Sequence, residues 1–292
     1  MKRTRIAVIA AAAALILGAC GNAGEESKSP VDNKVDSNAA SNFADGSRMK
    51  EIAEAGKVKI GVKFDQPGLG FKRAGVAVPT GLDVEMGKLI AAKLGIKATD
   101  VEWVETISDN REPFLQKGTV DFVLASYSIT DDRRKVVGQA GPYYVTGQQL
   151  LVKKGSDIKN VADVKGKEVC SVTGSTSLVQ VEAKGAKPRG FETYSQCRDQ
   201  VLDGAVSAMT TDGSILLGYA AENPDELEVV GEPFSEERYG IGYNLDKPEL
   251  CKFIVDTIKE AEDNGDWAKA FEATLGKSGV KTPTPPAMDA CA

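Results

Sequence analysis

Short apolar runs alternate with amphipathic segments through the middle of the chain. Val58–Val62 and Asp121–Ala125 each predict a strand, and a helix is expected near Glu112–Lys117. Another helix is predicted to follow Asp83, which would act as its N-cap. The core face of that helix carries four apolar residues at helical spacing: Met86, Leu89, Ile90 and Leu94. This alternation is typical of an α/β unit.

A second cycle of the same kind begins near residue 168. Strands are predicted at three places: Glu168–Val172, near Gly190, and Ala205–Met209. Helices are predicted at three others: after Gly174, around Cys197–Leu202, and from about Ser214. Strand–helix alternation predicts parallel sheets covered by helices on both faces. Two such cycles predict an α/β protein with two lobes and a cleft between them.

Two amphipathic helices are predicted near the C-terminus. The apolar face of the first carries Leu250, Phe253, Ile254, Thr257, Ile258 and Ala261. The second follows Gly265 and carries Trp267, Phe271 and Leu275. These faces are interpreted as core. The proline-rich stretch Thr282–Pro286 predicts a non-helical strap held by Cys291.

The N-terminus has the pattern of an export signal. Three basic residues precede the apolar run Ile6–Leu17, which is shorter than the roughly 20 residues needed to cross a bilayer. Small residues before Cys20 indicate a bacterial lipoprotein signal, so we expect residues 1–19 to be removed and the Cys20 thiol to be acylated. An ordinary signal followed by an incidental cysteine is the alternative. Lipidation would place the protein outside the cytoplasm, anchored to the cell membrane.

The segment after the proposed anchor has almost nothing to bury. Residues 21–44 are rich in Ser, Asn, Gly, Asp, Glu and Lys, a composition that cannot offset its ordering entropy. We therefore predict a disordered tether over residues 20–44.

Composition narrows the classes of function. The net charge is −6, and −9 without the three basic residues of the signal, so an acidic body argues against nucleic acid as a partner. The chain has no histidine, which excludes Ser-His-Asp and Cys-His catalysis and HExxH zinc sites. No CxxC motif occurs either, so neither a metal nor a cofactor is expected.

Polar loops follow three of the predicted strands. Ser126–Thr130, Thr173–Thr176 and Thr210–Asp212 each leave the C-terminal end of a strand. In α/β sheets these ends face a ligand crevice. Loop and helix N-terminal amides attract carboxylates there, and a buried aspartate can hold an ammonium.

The chain resembles the extracellular solute-binding proteins for polar amino acids of ABC importers, and within them the glutamate-binding lipoproteins of actinobacteria. The resemblance covers nearly the whole body after the tether. It rests on the order and spacing of eight segments: Gly61–Gly70, Gly81–Val84, Arg111–Asp121, Ser126–Ile129, Gly141–Tyr143, Cys170–Thr176, Thr210–Asp212 and Gly231–Phe234.

The resemblance implies a two-lobed, periplasmic-binding-protein-like fold of type II. Two crossover strands would form the hinge, and the C-terminal helices would return to the first lobe. Lobe one is then expected over residues 45–147 and 236–292, and lobe two over 148–235. The ligand would lie in the cleft between them.

The resemblance also implies ligand contacts from lobe one. Arg133 is expected to grip the ligand α-carboxylate through a bidentate fork. Ser128 would add a hydroxyl or an amide, and the Ser126 carbonyl would accept from the ligand ammonium. The alternative for Arg133 is a solvated charge in a run of four charged residues.

Lobe two is expected to close on the same ligand. By the same resemblance, the amides of Ser175 and Thr176 would approach the α-carboxylate, and Asp212 would pair with the α-ammonium. The alternative for Asp212 is a helix cap.

Specificity depends on the groups that meet the ligand side chain. Lys63 lies where an acidic residue stands in a glutamine-binding relative, so a lysine there favours a γ-carboxylate. An exposed strand residue is the alternative for Lys63, and Arg111 and Arg73 are second-choice cations. Phe64 and Tyr127 are the candidates for apolar cover.

The remaining cysteines predict two disulfides. Beyond Cys20 there are four, Cys170, Cys197, Cys251 and Cys291, which allow three pairings. Cys170–Cys197 with Cys251–Cys291 is preferred because it keeps each bridge within one predicted lobe.

The sequence therefore predicts a monomeric, lipid-anchored solute-binding component that delivers glutamate to ABC permease subunits. Aspartate, glutamine and asparagine stay open as ligands. A dehydratase-like enzyme on the same fold and a ligand-sensing subunit of a signalling system are the alternative functions.

Overall fold

The structure is a computed structural model that describes residues 29–31 and 33–291. The predicted signal peptide, residues 1–19, and the predicted acylation site, Cys20, lie outside the described residues.

Ten α-helices and twelve strands make up the described chain. The helices are α1 Ala39–Asn42, α2 Arg48–Ala55, α3 Leu82–Lys93, α4 Arg111–Gln116, α5 Asp131–Arg134, α6 Thr176–Ala183, α7 Tyr194–Asp203, α8 Gly213–Glu222, α9 Glu249–Asp263 and α10 Asp266–Ala273. The strands are β1 Val58–Val62, β2 Asp65–Gln66, β3 Gly70–Phe71, β4 Val101–Glu105, β5 Phe122–Leu124, β6 Gly138–Thr146, β7 Gln148–Lys153, β8 Glu168–Val172, β9 Lys187–Phe191, β10 Ala208–Asp212, β11 Leu227–Val230 and β12 Glu237–Tyr243.

Ten of the twelve strands form two separate five-stranded sheets, which gives the two-lobed α/β architecture expected from the sequence, and β2 and β3 pair as a two-stranded sheet. One five-stranded sheet has the order β4-β1-β5-β12-β6 and the other β11-β7-β10-β8-β9. We call the part up to Thr146 and from Glu237 onward lobe one, and Gln148–Val230 lobe two. Both sheets are mixed rather than all parallel, because β12 and β7 run antiparallel to their neighbours.

The chain crosses between the sheets twice, and the two crossings are hydrogen-bonded to each other. The Gln148 amide donates to the Ser235 hydroxyl at 3.1 Å, and the Phe234 amide donates to the Gln148 carbonyl at 2.9 Å. A Cβ on Gly147 would lie 2.5 Å from the Ser235 carbonyl oxygen, so only glycine allows this approach. The paired crossings form a narrow hinge.

Most predicted elements are present, with β1 and β8 at the predicted bounds, but some bounds differ. The strand predicted at Ala205–Met209 runs from Ala208 to Asp212. Helix α10 ends at Ala273, and Leu275 lies in a following 3₁₀ turn.

Asp83 is not the cap of α3. The N-cap is Gly81, and Asp83 lies fully buried in the first turn. Its two carboxylate oxygens accept from the Tyr143 hydroxyl at 2.7 Å and the Ser126 amide at 2.8 Å. The side chain therefore points into lobe one and fixes the loop after β5.

The predicted disordered tether differs from the structure over residues 29–31 and 33–44. Val31 is buried, and the Asp36 amide donates to the Ala92 carbonyl at 2.9 Å. The Ser29 hydroxyl donates to Glu85 on α3. A few anchoring contacts thus order a stretch whose composition alone predicts disorder.

Both disulfides have the preferred pairing. The Cα atoms are 5.7 Å apart in Cys170–Cys197 and 5.8 Å apart in Cys251–Cys291. The second bridge ties the C-terminal segment to α9, and that segment is non-helical as predicted.

The C-terminal segment crosses lobe one beside the hinge strands. The Asp289 amide donates to the Gly141 carbonyl of β6 at 2.7 Å. The Asp289 carboxylate bridges two guanidinium groups, Arg134 at 2.6 Å and Arg238 of β12 at 2.5 Å.

Removing the second bridge should lower stability without unfolding the protein. Replacing Cys251 and Cys291 by alanine frees a loop of sequence separation 40, which the chain-entropy model values at roughly 4 kcal/mol. Urea unfolding of the variant and of the unmodified protein measures the loss. A loss below about 1 kcal/mol would contradict a stabilising role for the bridge.

Candidate ligand-binding site

Loops from the C-terminal ends of strands in both lobes converge on one small cavity. Its lining comprises Arg111, Ser126, Ser128, Arg133, Ser175, Thr176, Ser177, Tyr194 and Asp212. The cavity measures about 10 Å³, room for about one water molecule. The cleft is therefore shut in this arrangement, and an amino acid enters only when the lobes separate.

Arg133 is the third residue of the four-residue helix α5, whose N-cap Thr130 accepts the Arg133 amide at 3.2 Å. Its guanidinium donates to the Ser128 carbonyl at 2.7 Å and to the Gly174 carbonyl of lobe two at 3.1 Å. Glu112 pairs with its Nε at 3.1 Å, and the side chain is 11% exposed. Arg133 is thus held in the cleft, not in solvent.

Arg111 is the most deeply buried cation of the cavity lining. Its guanidinium donates to three backbone carbonyls, Ser108 at 3.2 Å, Ala125 at 3.3 Å and Gly174 at 3.1 Å. Within residues 29–31 and 33–291 it pairs with no carboxylate. Burial, followed by the charge of Arg133, lowers the pKa of Arg111 to about 10. The group stays cationic, and its charge lacks a neutralising partner.

Asp212 is the corresponding anion on the opposite wall. It ends β10 and precedes α8 without making a side-chain cap. One carboxylate oxygen accepts from the Tyr239 hydroxyl at 2.6 Å, while the other is buried and meets no donor among the described residues. Burial, followed by the charge of Glu237, raises the pKa of Asp212 to about 7. An ammonium group placed beside this second oxygen would supply the donor that the protein does not.

The two serines of lobe one are fixed by buried carboxylates. Ser126 has a φ of 47°, its amide donates to Asp83 at 2.8 Å, and its hydroxyl donates to Gln66 at 2.6 Å. The Ser128 hydroxyl donates to Glu237 at 2.6 Å. These contacts hold the Ser126–Ser128 loop against the cleft.

The wall of lobe two is the N-terminus of α6. Ser175 is its N-cap, accepting the Leu178 amide at 3.1 Å, and its own amide donates to Val172 at 3.3 Å. Thr176 opens the helix, so its amide belongs to the first-turn donors that have no intrahelical acceptor. Of the two predicted amides, the Thr176 amide is the better placed to bind an anion.

Lys63 is buried, not exposed, but it does not line the cavity. Its ammonium donates to the Ser108 hydroxyl at 2.9 Å, one layer behind Arg111. Burial, followed by the charge of Arg111, lowers the pKa of Lys63 to about 7. Arg111, by contrast, lines the cavity directly.

Neither predicted apolar cover meets the cavity. Phe64 packs against the core with the Lys72 ammonium 4.6 Å from its ring centroid. Tyr127 is fully buried beneath the guanidinium groups of Arg111 and Arg133, at 4.5 Å and 5.0 Å from its ring centroid. The Tyr127 ring therefore supports the two cations from below.

Sequence reasoning missed Ser177, Tyr194 and Glu237. Tyr194 follows Thr193, whose side chain and that of Gln196 form a capping box, so the Thr-x-x-Gln pattern could have located the start of α7. Nothing in the sequence places Glu237 at the cleft, because its contacts come from both lobes.

A larger groove of about 580 Å³ lies on the outside of lobe one, between residues 33–37 and helices α3, α9 and α10. Its charged residues are largely paired with each other, as in Lys93–Glu260 and Lys269–Asp266. The groove is therefore a poorer candidate for ligand recognition than the small cavity. In the described part of the chain, no group of three metal-binding side chains occurs, and no helix is long and apolar enough for a bilayer.

The family model of bacterial extracellular solute-binding proteins, family 3, matches residues 58–277. The chain belongs to this family. The family resemblance inferred from the sequence is confirmed, and the named relatives of this chain are solute-binding proteins rather than enzymes.

Two curated relatives and one solved structure illustrate the similarity. Glutamate-binding protein GluB of Corynebacterium efficiens is 37% identical over 245 residues, covering 80% of this chain and 83% of that protein. ABC transporter glutamine-binding protein GlnH of Bacillus subtilis is 33% identical, covering 91% and 94%. The ancestral amino acid-binding protein AncCDT-1, a precursor of cyclohexadienyl dehydratase, is 31% identical with a TM-score of 0.72, covering 78% and 100%.

Asp212 should make the stability of the ligand-free protein depend on pH. Its pKa is raised from 3.8 to about 7, so the folded state binds the proton more tightly than the unfolded state. The free energy of unfolding should therefore fall as the pH rises from about 4 to about 7, relative to Asp212→Asn. Thermal unfolding of both proteins across this range measures the difference.

The exposed Asp225→Asn variant is the control for that comparison. Its stability should follow the unmodified protein at every pH. Parallel curves for Asp212→Asn and the unmodified protein would contradict an uncompensated buried carboxylate.

Proposed function

We propose that this family 3 protein captures glutamate outside the cell and delivers it to an ABC permease. The observation that carries the proposal is a pair of buried, oppositely charged groups that face one cavity without a counter-charge: Arg111 and Asp212. Burying a charge without a partner is costly, so a ligand that supplies both partners gains affinity.

The two ends of an amino acid fit the two walls. The α-carboxylate would lie between the Arg133 guanidinium and the Thr176 amide, which donate from opposite lobes. The α-ammonium would donate to the free oxygen of Asp212 and to the Ser126 carbonyl. The amide and hydroxyl of Ser126 are already engaged within lobe one, which leaves its carbonyl for the ligand.

The ligand side chain would then meet Arg111. A γ-carboxylate neutralises this buried cation, whereas a neutral amide leaves it without a counter-charge. Lys63 supports the same end through Ser108 and adds positive potential from behind. Glutamate is therefore favoured over glutamine, and aspartate reaches less far for the same charge.

The relatives agree with an acidic or amide ligand. GluB is a glutamate-binding protein and GlnH a glutamine-binding protein, and both cover most of this chain. The charge of Arg111 favours the first of these chemistries.

Arg111→Gln should separate glutamate from glutamine. Losing a buried charge pair costs roughly 2–5 kcal/mol, so Kd for glutamate should rise at least 30-fold, while Kd for glutamine changes by less than about fivefold. Calorimetry with glutamate, aspartate, glutamine and asparagine measures both. Arg133→Gln is the matched comparison and should weaken all four ligands.

Lys63→Met tests the second layer in the same titrations. It should weaken glutamate less than Arg111→Gln does, because its ammonium stands behind Ser108. Equal losses of affinity for glutamate and for glutamine in Arg111→Gln would refute the role of Arg111 in recognising the ligand side chain.

The anchor is the second part of the proposal. Acylation of Cys20 would hold the protein at the outer face of the cell membrane as a monomer beside the permease. Two or more acyl chains are needed for firm anchoring, because one chain binds only marginally.

Cys20→Ala should release the protein from the membrane fraction. Without the thiol no thioether-linked lipid can form, so the variant should appear in the medium and fail to incorporate labelled palmitate. Cell fractionation and labelling measure both effects. Membrane retention and labelling equal to those of the unmodified protein would exclude Cys20 as the anchor.

A further inference from the structure

A turn of lobe one, Asp65–Pro67, contacts lobe two beside the cavity through its first and last residues. We call it the Asp65–Pro67 turn. The Asp65 carboxylate accepts from the amides of Tyr194 at 2.7 Å and Ser195 at 3.1 Å, the first two residues of α7. These amides have no intrahelical acceptor, and the helix N-terminus favours an anion. Tyr219 of α8 donates its hydroxyl to the Asp65 carbonyl.

Gly218 of α8 receives the end of this turn. A Cβ built on Gly218 would lie 2.5 Å from the Pro67 carbonyl oxygen and 3.2 Å from the Pro67 Cβ, closer than real Cβ atoms come to backbone oxygen. Gly218 is helical and has no positive φ, so no turn geometry requires glycine there. Glycine is unfavourable inside a helix, and the close approach of Pro67 accounts for its presence.

The middle residue of the turn reaches the cavity lining. Gln66 is fully buried, and its side-chain oxygen accepts from the Ser126 hydroxyl at 2.6 Å. Tyr194, whose amide binds Asp65, also lines the cavity. One short turn thus touches a cavity residue of each lobe and the face of α8.

We propose that the Asp65–Pro67 turn is a latch that stabilises the closed arrangement of the two lobes. In this proposal Gly218 leaves the space into which Pro67 packs. The cavity is shut, so ligand entry requires the lobes to separate, and separation breaks the contacts of Asp65 with α7 and of Pro67 with Gly218. Part of the affinity is therefore set by residues that do not touch the ligand. This inference goes beyond the proposed function and does not depend on which amino acid the cleft binds.

The Gly218→Ala variant tests whether Gly218 serves the latch or only the folding of α8. Alanine suits the interior of α8, so amides 219–222 should keep their protection from hydrogen exchange. The added methyl group blocks Pro67, so the Tyr194 and Ser195 amides should exchange at least tenfold faster in the ligand-free protein, as measured by NMR. Loss of protection in α8 itself would show that the glycine serves folding, and would overturn the proposal.

Asp65→Ala tests the other half of the latch. The same two amides should exchange at least tenfold faster, and Asp65→Asn should restore part of the protection because its amide oxygen still accepts a hydrogen bond. Asp225→Ala removes an exposed charge near α8 and should leave the exchange rates unchanged. Exchange rates in Asp65→Ala equal to those of the unmodified protein would overturn the proposal.

Glutamate titrations add an independent readout. Gly218→Ala and Asp65→Ala should each raise Kd for glutamate at least tenfold, and a change below twofold in both would overturn the latch. If the unmodified protein binds no glutamate, the proposed function fails, and the exchange rates alone decide on the latch.

Discussion

Uncompensated charge in the closed cleft is the constraint on which this site depends. Arg111 is surrounded by carbonyl oxygens and an aromatic ring, and one oxygen of Asp212 meets no donor among the described residues. A protein interior tolerates such groups poorly, because their hydration is lost without replacement. A solute-binding protein can retain them because its ligand supplies the missing partners. With the proposed ligand contacts, the stability that these groups cost would be recovered as binding free energy and as discrimination between ligands.

The two-lobed fold distributes these buried charges over two parts that can move relative to each other. Two mixed sheets are joined by two hydrogen-bonded crossings at Gly147 and residues 231–236, so the lobes can rotate about a narrow strip. Each lobe brings one half of the charge complement, with the arginines on one side and Asp212 on the other. Glu237 begins the returning strand and accepts from Ser128 of lobe one and Thr176 of lobe two. The cleft walls and the hinge are therefore parts of one hydrogen-bonded network.

The sequence predicted what depends on local pattern. Strands β1 and β8 and the polar loops after β5 and β8 follow from periodicity and turn residues, and both disulfide pairings follow from keeping each bridge within one lobe. The segment Thr210–Asp212, predicted as a loop, is instead the end of strand β10. Prediction from sequence failed where tertiary contacts decide. Asp83 is a residue type that often caps helices, but its carboxylate is buried and accepts hydrogen bonds from Tyr143 and Ser126. The position of Lys63 behind Arg111 likewise depends on tertiary contacts.

The N-terminal segment shows the same limit, and it has a mechanical consequence. Because residues 29–31 and 33–44 lie on lobe one, only nine residues of sequence, 20–28, separate the proposed anchor from the described body, and nine residues span at most roughly 30 Å. With the anchor proposed at Cys20, lobe one would ride close above the lipid headgroups, while lobe two would be the half that swings. The anchor would then restrict the motion of lobe one and leave lobe two free to move and to contact the transporter.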